Sequence, residues 1–377
     1  DLHLSIRRQR QMCIRDRYYC TVRLITIDFN WSRPMKIGLF LTNQQFTTTD
    51  MVKALDEQIQ MVHHARDNGW DTLLSGQHYL NEGNNQQLQL VPFLSRLIPE
   101  AGDMHIALGI LLLNLHNPVY TAETVASLDV LSRGRLIFGV GLGYRDTEFD
   151  AFAVPKGKRV ARFEEYLELV QRLWTEDNVS HNSETCVLNN VRMNIRPIQK
   201  PSPPIWLAAN NDKAIERAAR MSDAWFVNPH SQLETIRRHM GVYNNALRAA
   251  NKSAPEELPI MKEIFCAKDK ATAMQIAGPY LFGKYKDYAT WGQDKVMPDN
   301  ETFDQEFEDL VKGRFILGSP GDCFEELRPY WEEFGMNHLI IRTHWVGMPG
   351  QIALDSMALM SRELLPELRK IDSKPTL

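Results

Sequence analysis

Cysteine is scarce. The chain of 377 residues has five, Cys13, Cys20, Cys186, Cys266 and Cys323, and no two form a Cys-x-x-Cys pair. A disulfide framework or a zinc site is therefore not expected, and a reducing cytoplasm fits the pattern. No apolar run reaches the roughly 18 residues that a membrane-spanning helix needs. Neither sign of charge dominates: the formal net charge is −4. Nothing in that balance calls for nucleic acid or an anionic membrane as partner. A nicotinamide-binding fingerprint is missing, and no internal repeat stands out. What remains is ordinary globular composition, 44% hydrophobic and 24% charged. Length alone leaves open two domains or one large α/β barrel.

Residues 1–34 look foreign to the rest. They hold seven Arg against three Asp. They lack the apolar core and cleavage site of a signal peptide. No clear helix or strand pattern appears before Val22–Phe29. Met12–Asp16 back-translates naturally as ATG-TGT-ATA-AGA-GAC, which resembles the end of a transposon used to prepare sequencing libraries. The expectation is a non-native extension with the true start at Met35. The alternative is a genuine basic extension.

From Met35 onward, short apolar runs alternate with amphipathic stretches, the signature of a parallel α/β fold. Eight runs read as strands: Lys36–Leu41, Trp70–Ser75, Ile106–Leu113, Leu136–Val140, Pro204–Ala208, Ala224–Val227, Ile260–Ala267 and His338–Thr343. Near-continuous hydrophobicity suits strands covered on both faces. Eight strands, each followed by a helix, predict a single (β/α)8 barrel over residues 35–377.

Local signals agree. Asp50 is placed to cap a helix with Met51, Leu55, Ile59 and Val62 on one face, and Gly69 to end it. Pro118 opens another helix, with Ala122, Val125, Leu128 and Leu131 inward and Gly134 closing it. Two connections exceed ordinary barrel loops, giving insertions after the fourth helix and the seventh strand. Residues 176–203 predict a surface hairpin with a Pro-rich end. Residues 278–319 predict a long loop carrying Tyr280, Phe282, Tyr285, Tyr288 and Trp291, too aromatic for plain disorder.

The richest stretch is Asn117–Tyr144. It runs Asn117-Pro118, then Leu128-Asp129, then Ser132-Arg133-Gly134-Arg135, then Gly139-Val140-Gly141-Leu142-Gly143-Tyr144. Glycines at a strand end let a large planar or phosphorylated ligand approach bare backbone. A tight βα turn explains them equally well. The motif is not a dinucleotide fingerprint, whose third glycine would fall where Tyr144 stands.

The order of these elements over 35–370 resembles the bacterial luciferase-like monooxygenases. Further matches are Gly76-Gln77-His78-Tyr79, Ala208-Ala209-Asn210-Asn211 and Gly318-Ser319-Pro320. The resemblance implies FMN, or its deazaflavin relative F420, at the C-terminal mouth of a barrel. It implies that Arg162, Asn210, Asn211 and the Tyr144 backbone hold the phosphate. By the same token Gly109 and Ile110 form a non-proline cis bond under the flavin ring, Gly141 faces the flavin, and His78 lies near the reacting atoms. A His pKa near 6.5 suits acid–base work there, although a hydrogen-bonded barrel-mouth residue would look the same. His63, His64, His105 and His116 lack comparable support.

The chain departs from luciferase at two points. Gly141 stands where luciferase has a Cys near the flavin. Leu142 stands where it has a second phosphate-pairing Arg, with Arg145 nearby. Tyr280, Phe282, Tyr285 and Trp291 correspond to the family's mobile lid, which closes over substrate; packing on the barrel's outside is the plainer alternative.

The function implied is a monooxygenase that uses reduced FMN and O2 on a small organic substrate. A separate NAD(P)H:flavin reductase would supply the flavin, and a homodimer is expected. An F420-dependent hydride-transfer oxidoreductase is the alternative on the same barrel, and a non-catalytic flavin-binding protein the alternative of another class. A metal-dependent hydrolase is disfavoured, because only His78 and His344 stand at strand ends.

Overall fold

The computed structural model describes residues 34–293, 297–298 and 301–377. The expectation for residues 1–34 falls almost wholly outside them. The described strands are β1 (Lys36–Leu41), β2 (Gln44–Phe46), β3 (Thr72–Ser75), β4 (Asn85–Gln87), β5 (His105–Leu108), β6 (Leu111–Leu112) and β7 (Leu136–Gly141). They continue with β8 (Val179–Asn182), β9 (Val187–Val191), β10 (Ile205–Ala208), β11 (Ala224–Phe226), β12 (Pro259–Cys266), β13 (Phe315–Gly318) and β14 (His338–Arg342).

Nine of them pair in parallel, in the order β11-β10-β7-β5-β3-β1-β14-β12-β13, with β6 beside β7. The sheet curls so that the segment after β11 meets β12. Val227 donates to the Pro259 carbonyl at 3.0 Å, and Met261 donates to the Val227 carbonyl at 2.9 Å.

Two hydrophobic clusters lie on the two faces, as the period-two alternation of a strand requires. The smaller joins Phe40, Leu74, Ala107, Ile137, Trp206, Ala224, Phe226, Met261 and Ile340. Eight of the nine strands, all but β13, contribute to it, so it fills the concave side. The larger cluster packs the convex side under helices.

The helices are α1 (Met51–Asp67), α2 (Leu90–Leu97), α3 (Pro118–Leu131), α4 (Asp146–Ala151), α5 (Arg159–Thr175) and α6 (Asp212–Met221). They continue with α7 (Leu233–Ala249), α8 (Lys270–Thr290), α9 (Phe307–Val311), α10 (Pro320–Glu332), α11 (Gly350–Leu359) and α12 (Leu365–Leu368). Their ends follow the sequence signals. The Asp50 carboxylate accepts from Val52 N at 2.9 Å and Lys53 N at 3.3 Å. Asn117 caps α3 through Val119 N at 2.9 Å, and Gly69 and Gly134 take φ of 72° and 76°. No described helix is long and apolar enough to cross a membrane.

Two parts of the signature stretch turn out to brace the frame. Buried Asp129 accepts from Gln199 N at 3.0 Å and Gln199 Nε2 at 2.7 Å, fixing the approach to β10. Arg135 donates to the Met104 carbonyl at 2.8 Å, tying β7 to the start of β5.

The expected hairpin is present as β8 and β9, an antiparallel pair. The long loop expected over 278–319 is corrected. Its first part is the end of α8, which runs through Pro279 to Thr290. Leu281, Lys284, Tyr285 and Tyr288 recur at helical spacing there, and that period outweighs the proline. Two further pieces, α9 and β13, follow. β13 extends the sheet beyond the eight expected strands.

Lys262, on β12, is fully buried; its ammonium sits 5.2 Å from the Tyr330 ring centre and has no hydrogen-bond partner. Burial pushes its pKa down to about 7. Between that value and the ordinary lysine range the unfolded chain binds a proton that the folded chain does not. Stability from this group therefore rises with pH across that window. Lys262→Met should remove the slope and be the more stable protein near neutrality. Urea midpoints measured from about pH 7 to about pH 9 check this: the gap between the two proteins should narrow as pH rises.

Candidate active site

A cavity of about 420 Å³ opens where the strands end. That is the C-terminal end, where the sites of such parallel folds gather. Three elements build its floor and one wall. β3 runs out into Gly76-Gln77-His78, β5 into Gly109-Ile110, and β7 into Gly141-Leu142-Gly143-Tyr144, and all of these line the cavity. The Gly109–Ile110 peptide is cis.

The three glycines of the β7 motif do different work. A Cβ on Gly139 would collide with the Leu108 carbonyl oxygen, so this glycine serves strand packing. A Cβ on Gly141 would drive the Ile110 side chain out of its place beside the strand. Gly143 takes φ of +77°, which L side chains rarely adopt, and lets the chain turn toward α4.

His78 is the most informative side chain. Its Nδ1 lies 3.1 Å from Glu148 Oε1. A carboxylate only accepts, so Nδ1 carries the proton. In its neutral form the ring then keeps its lone pair on Nε2. Glu148 is itself buried, and its Oε1 also accepts from Tyr79 N at 2.9 Å. Arg145 lies 3.5 Å from the same oxygen and reaches Glu82 at 2.9 Å. The His78 ring meets Tyr144 edge-on at 5.8 Å and Trp291 at 6.0 Å. His78 is thus a partly exposed imidazole on a buried carboxylate, fixed in one tautomer.

The mouth is basic and amide-rich. Asn210 and Asn211 line it ahead of α6, and Asn211 caps that helix by accepting from Ala214 N at 3.1 Å. Arg159 and Lys213 line it too. Arg217 also lines it but is held by Glu164 at 2.7 Å. Such a helix start with cations beside it suits a phosphate.

Of the residues singled out in the sequence, His78, Gly109, Ile110, Gly141, Tyr144, Asn210 and Asn211 all line this one cavity. Arg162 does not. Its Nε donates to the Asn114 carbonyl at 3.0 Å, and its guanidinium lies over Tyr166. The basic residue of α5 on the cavity is Arg159, one turn earlier. The aromatic residues also divide. Tyr285 is buried against Phe315 and Phe303, Phe282 packs on Phe307, and Tyr280 packs on the convex-side core. Trp291 lies beside His78 and under Arg145 without lining the cavity. Tyr288 lines it instead.

Sequence reasoning also missed Glu148, Arg159, Lys213, Tyr288 and Arg342. Glu148 lies 70 residues from His78, and no local pattern links the two. Tyr288 shares a helical period with Tyr285, a signal that reading 278–319 as a loop discarded. Among the described residues, no group of three or more His, Cys, Asp or Glu is arranged to hold a metal.

The family model for luciferase-like monooxygenases matches residues 35–338. The oxygenase component of the flavin-dependent trigonelline monooxygenase of Acinetobacter baylyi is 23% identical over 351 residues, 88% of this chain and 95% of that protein. The uncharacterized protein y4vJ of Sinorhizobium fredii is 27% identical over 207 residues, and the match spans 58% of that protein's length. Among solved structures, the oxygenating constituent of 3,6-diketocamphane monooxygenase of Pseudomonas putida, in complex with FMN, superposes with a TM-score of 0.75 at 17% identity, covering 91% of this chain and 100% of that one. An F420-dependent secondary alcohol dehydrogenase superposes with a TM-score of 0.71 at 15% identity, covering 88% and 98%. At these identities the two structures speak for the fold.

Proposed function

The chain belongs to the luciferase-like monooxygenase family, and from that premise we propose that it is a flavin-dependent monooxygenase using reduced FMN and O2 to oxygenate a small organic substrate. One observation carries the proposal. A single cavity joins Gly109, Ile110 and Gly141 at its floor, a cationic helix-start mouth, and the His78–Glu148 pair.

The residues present fit FMN. Glycine at 141 leaves the Ile110 side chain against the strand, keeping the floor clear. The Tyr144 hydroxyl is buried at the wall without a partner. Asn211, Lys213 and Arg159 offer donors for the phosphate at the mouth. When bound, reduced FMN supplies the oxygen-activating chemistry, as cofactors in such sites do. The chain's own part is to orient substrate, keep water from the reacting atoms and manage protons. His78 Nε2 is the group for the last task. The oxygenase-component relative supports a separate flavin reductase as partner. The (β/α)8 description, with insertions at β8–β9 and after β12, belongs to the same reading. So do a homodimer and a phosphate role for Arg162 reached by a side-chain shift.

The F420-dependent neighbour supports a second reading, in which the same barrel passes hydride. Turnover of a small-molecule panel separates the two. The monooxygenase reading expects product only with reduced FMN and O2 together. Product formed with reduced F420 under strict anaerobiosis would replace it with the hydride-transfer reading.

A further inference from the structure

We propose that the substrate is an organic anion whose carboxylate is held by Arg342. The inference rests on the cavity being the reaction chamber.

Arg342 closes β14 on the cavity side. It is 5% exposed and lines the cavity. Its Nε donates to Thr42 Oγ1 at 3.1 Å and its Nη1 to the Tyr288 hydroxyl at 3.4 Å. Its plane lies over the Phe40 ring at 5.1 Å. None of these neighbours is a carboxylate, and among the described residues Nη2 has no partner. A guanidinium stays charged at every accessible pH. Burying it without an anion is costly.

The acid on the neighbouring strand is already engaged. Glu263 pairs with the Lys284 ammonium through one oxygen and accepts from Trp345 Nε1 at 2.5 Å through the other. One carboxylate therefore stands beside two cations, Lys284 and Arg342, and burial together with the Arg342 charge pushes the Lys284 ammonium down. Among the described residues no carboxylate forms an ion pair with Arg342, whose side-chain partners are Thr42 and Tyr288. Burial keeps the His230 imidazole well below its usual pKa, hence neutral. Burial pushes the Tyr288 phenol up, yet Lys284 and Arg342 beside it hold it below its ordinary value. The field at this wall favours negative charge.

Arg342 is poorly placed for the cofactor phosphate. The cationic mouth lies over α6, next to β10, while β11 and β12 intervene between β10 and β14. The unused donors of Arg342 form a planar fork that matches a carboxylate. A neutral substrate would leave them unpaired.

Calorimetry with acetate, benzoate and phenylacetate against their amides tests the proposal, with and without FMN. At least one acid should bind about ten-fold tighter than its amide, the scale of one charge-assisted hydrogen bond. Arg342→Gln should erase that preference, Arg342→Lys should retain part of it, and FMN affinity should change by less than about three-fold in both. The proposal is overturned if no acid outbinds its amide in the wild type, or if Arg342→Gln keeps the preference. Should Arg342→Gln not fold, the wild-type ratio and Arg342→Lys decide. A preference that holds while FMN fails to bind would overturn the cofactor assignment and leave the anion site standing.

Discussion

Replacing His78 by asparagine is expected to lower turnover by about 10²- to 10³-fold, the usual scale for a positioned acid or base. FMN affinity should stay within about three-fold, because His78 contributes nothing to the cationic mouth. The geometry sets the size of the effect. Glu148 is buried, accepts the hydrogen bond from Nδ1–H and thereby leaves the lone pair on Nε2. A carboxamide in place of the imidazole has no ring nitrogen to give or take the proton, so the loss should fall on turnover. Glu148→Gln tests the positioning partner. An amide no longer dictates the tautomer, so a smaller loss of about ten-fold is expected. Steady-state rates with saturating reduced FMN, beside fluorescence titrations of FMN, check both. Equal activity of His78→Asn and wild type would remove His78 from the chemistry.

The second large effect falls on the glycine motif. Gly139→Ala is expected to destabilise the fold by at least about 3 kcal/mol, because backbone at Leu108 cannot yield as a side chain can. Gly141→Ala meets only the Ile110 side chain, so it should fold. Its cost should appear as weaker FMN binding, about ten-fold, as Ile110 is pushed off its place toward the cavity. Gly157, with nothing near its Cβ position, is the control and should tolerate Ala. Urea unfolding and FMN titration on the three variants separate the roles. Gly139→Ala that unfolds like wild type would show that the first glycine is kept for a ligand after all.

These contrasts show what the sequence could carry. Strand periodicity and helix caps are local, so β1 was legible to the residue and Asp50, Pro118, Gly69 and Gly134 bounded helices as expected. The site was legible only where it lies on strand ends, as at His78, Gly109 and Tyr144. Its other half comes from long-range packing. Glu148 reaches His78 from α4, Arg342 meets Tyr288 across 54 residues, and Trp291 meets His78. No local pattern records such meetings. Arg159 and Arg162 show the finer limit. Both begin α5, yet only Arg159 lines the cavity, and one helical turn decided it. The length of the connection suggested a loop at 278–319, while the spacing of Tyr285 and Tyr288 records a helix.

The proposed function puts FMN in the cavity at the end of the curled sheet. Equilibrium dialysis of FMN against wild type and Ala208→Trp tests it directly. Ala208 lines the cavity at the end of β10, and an indole there would fill the space above Gly141. The prediction is one FMN per chain for wild type, and binding weakened at least about 100-fold in a variant that unfolds at an unchanged midpoint. FMN bound equally by a folded Ala208→Trp, or by neither protein, would contradict it.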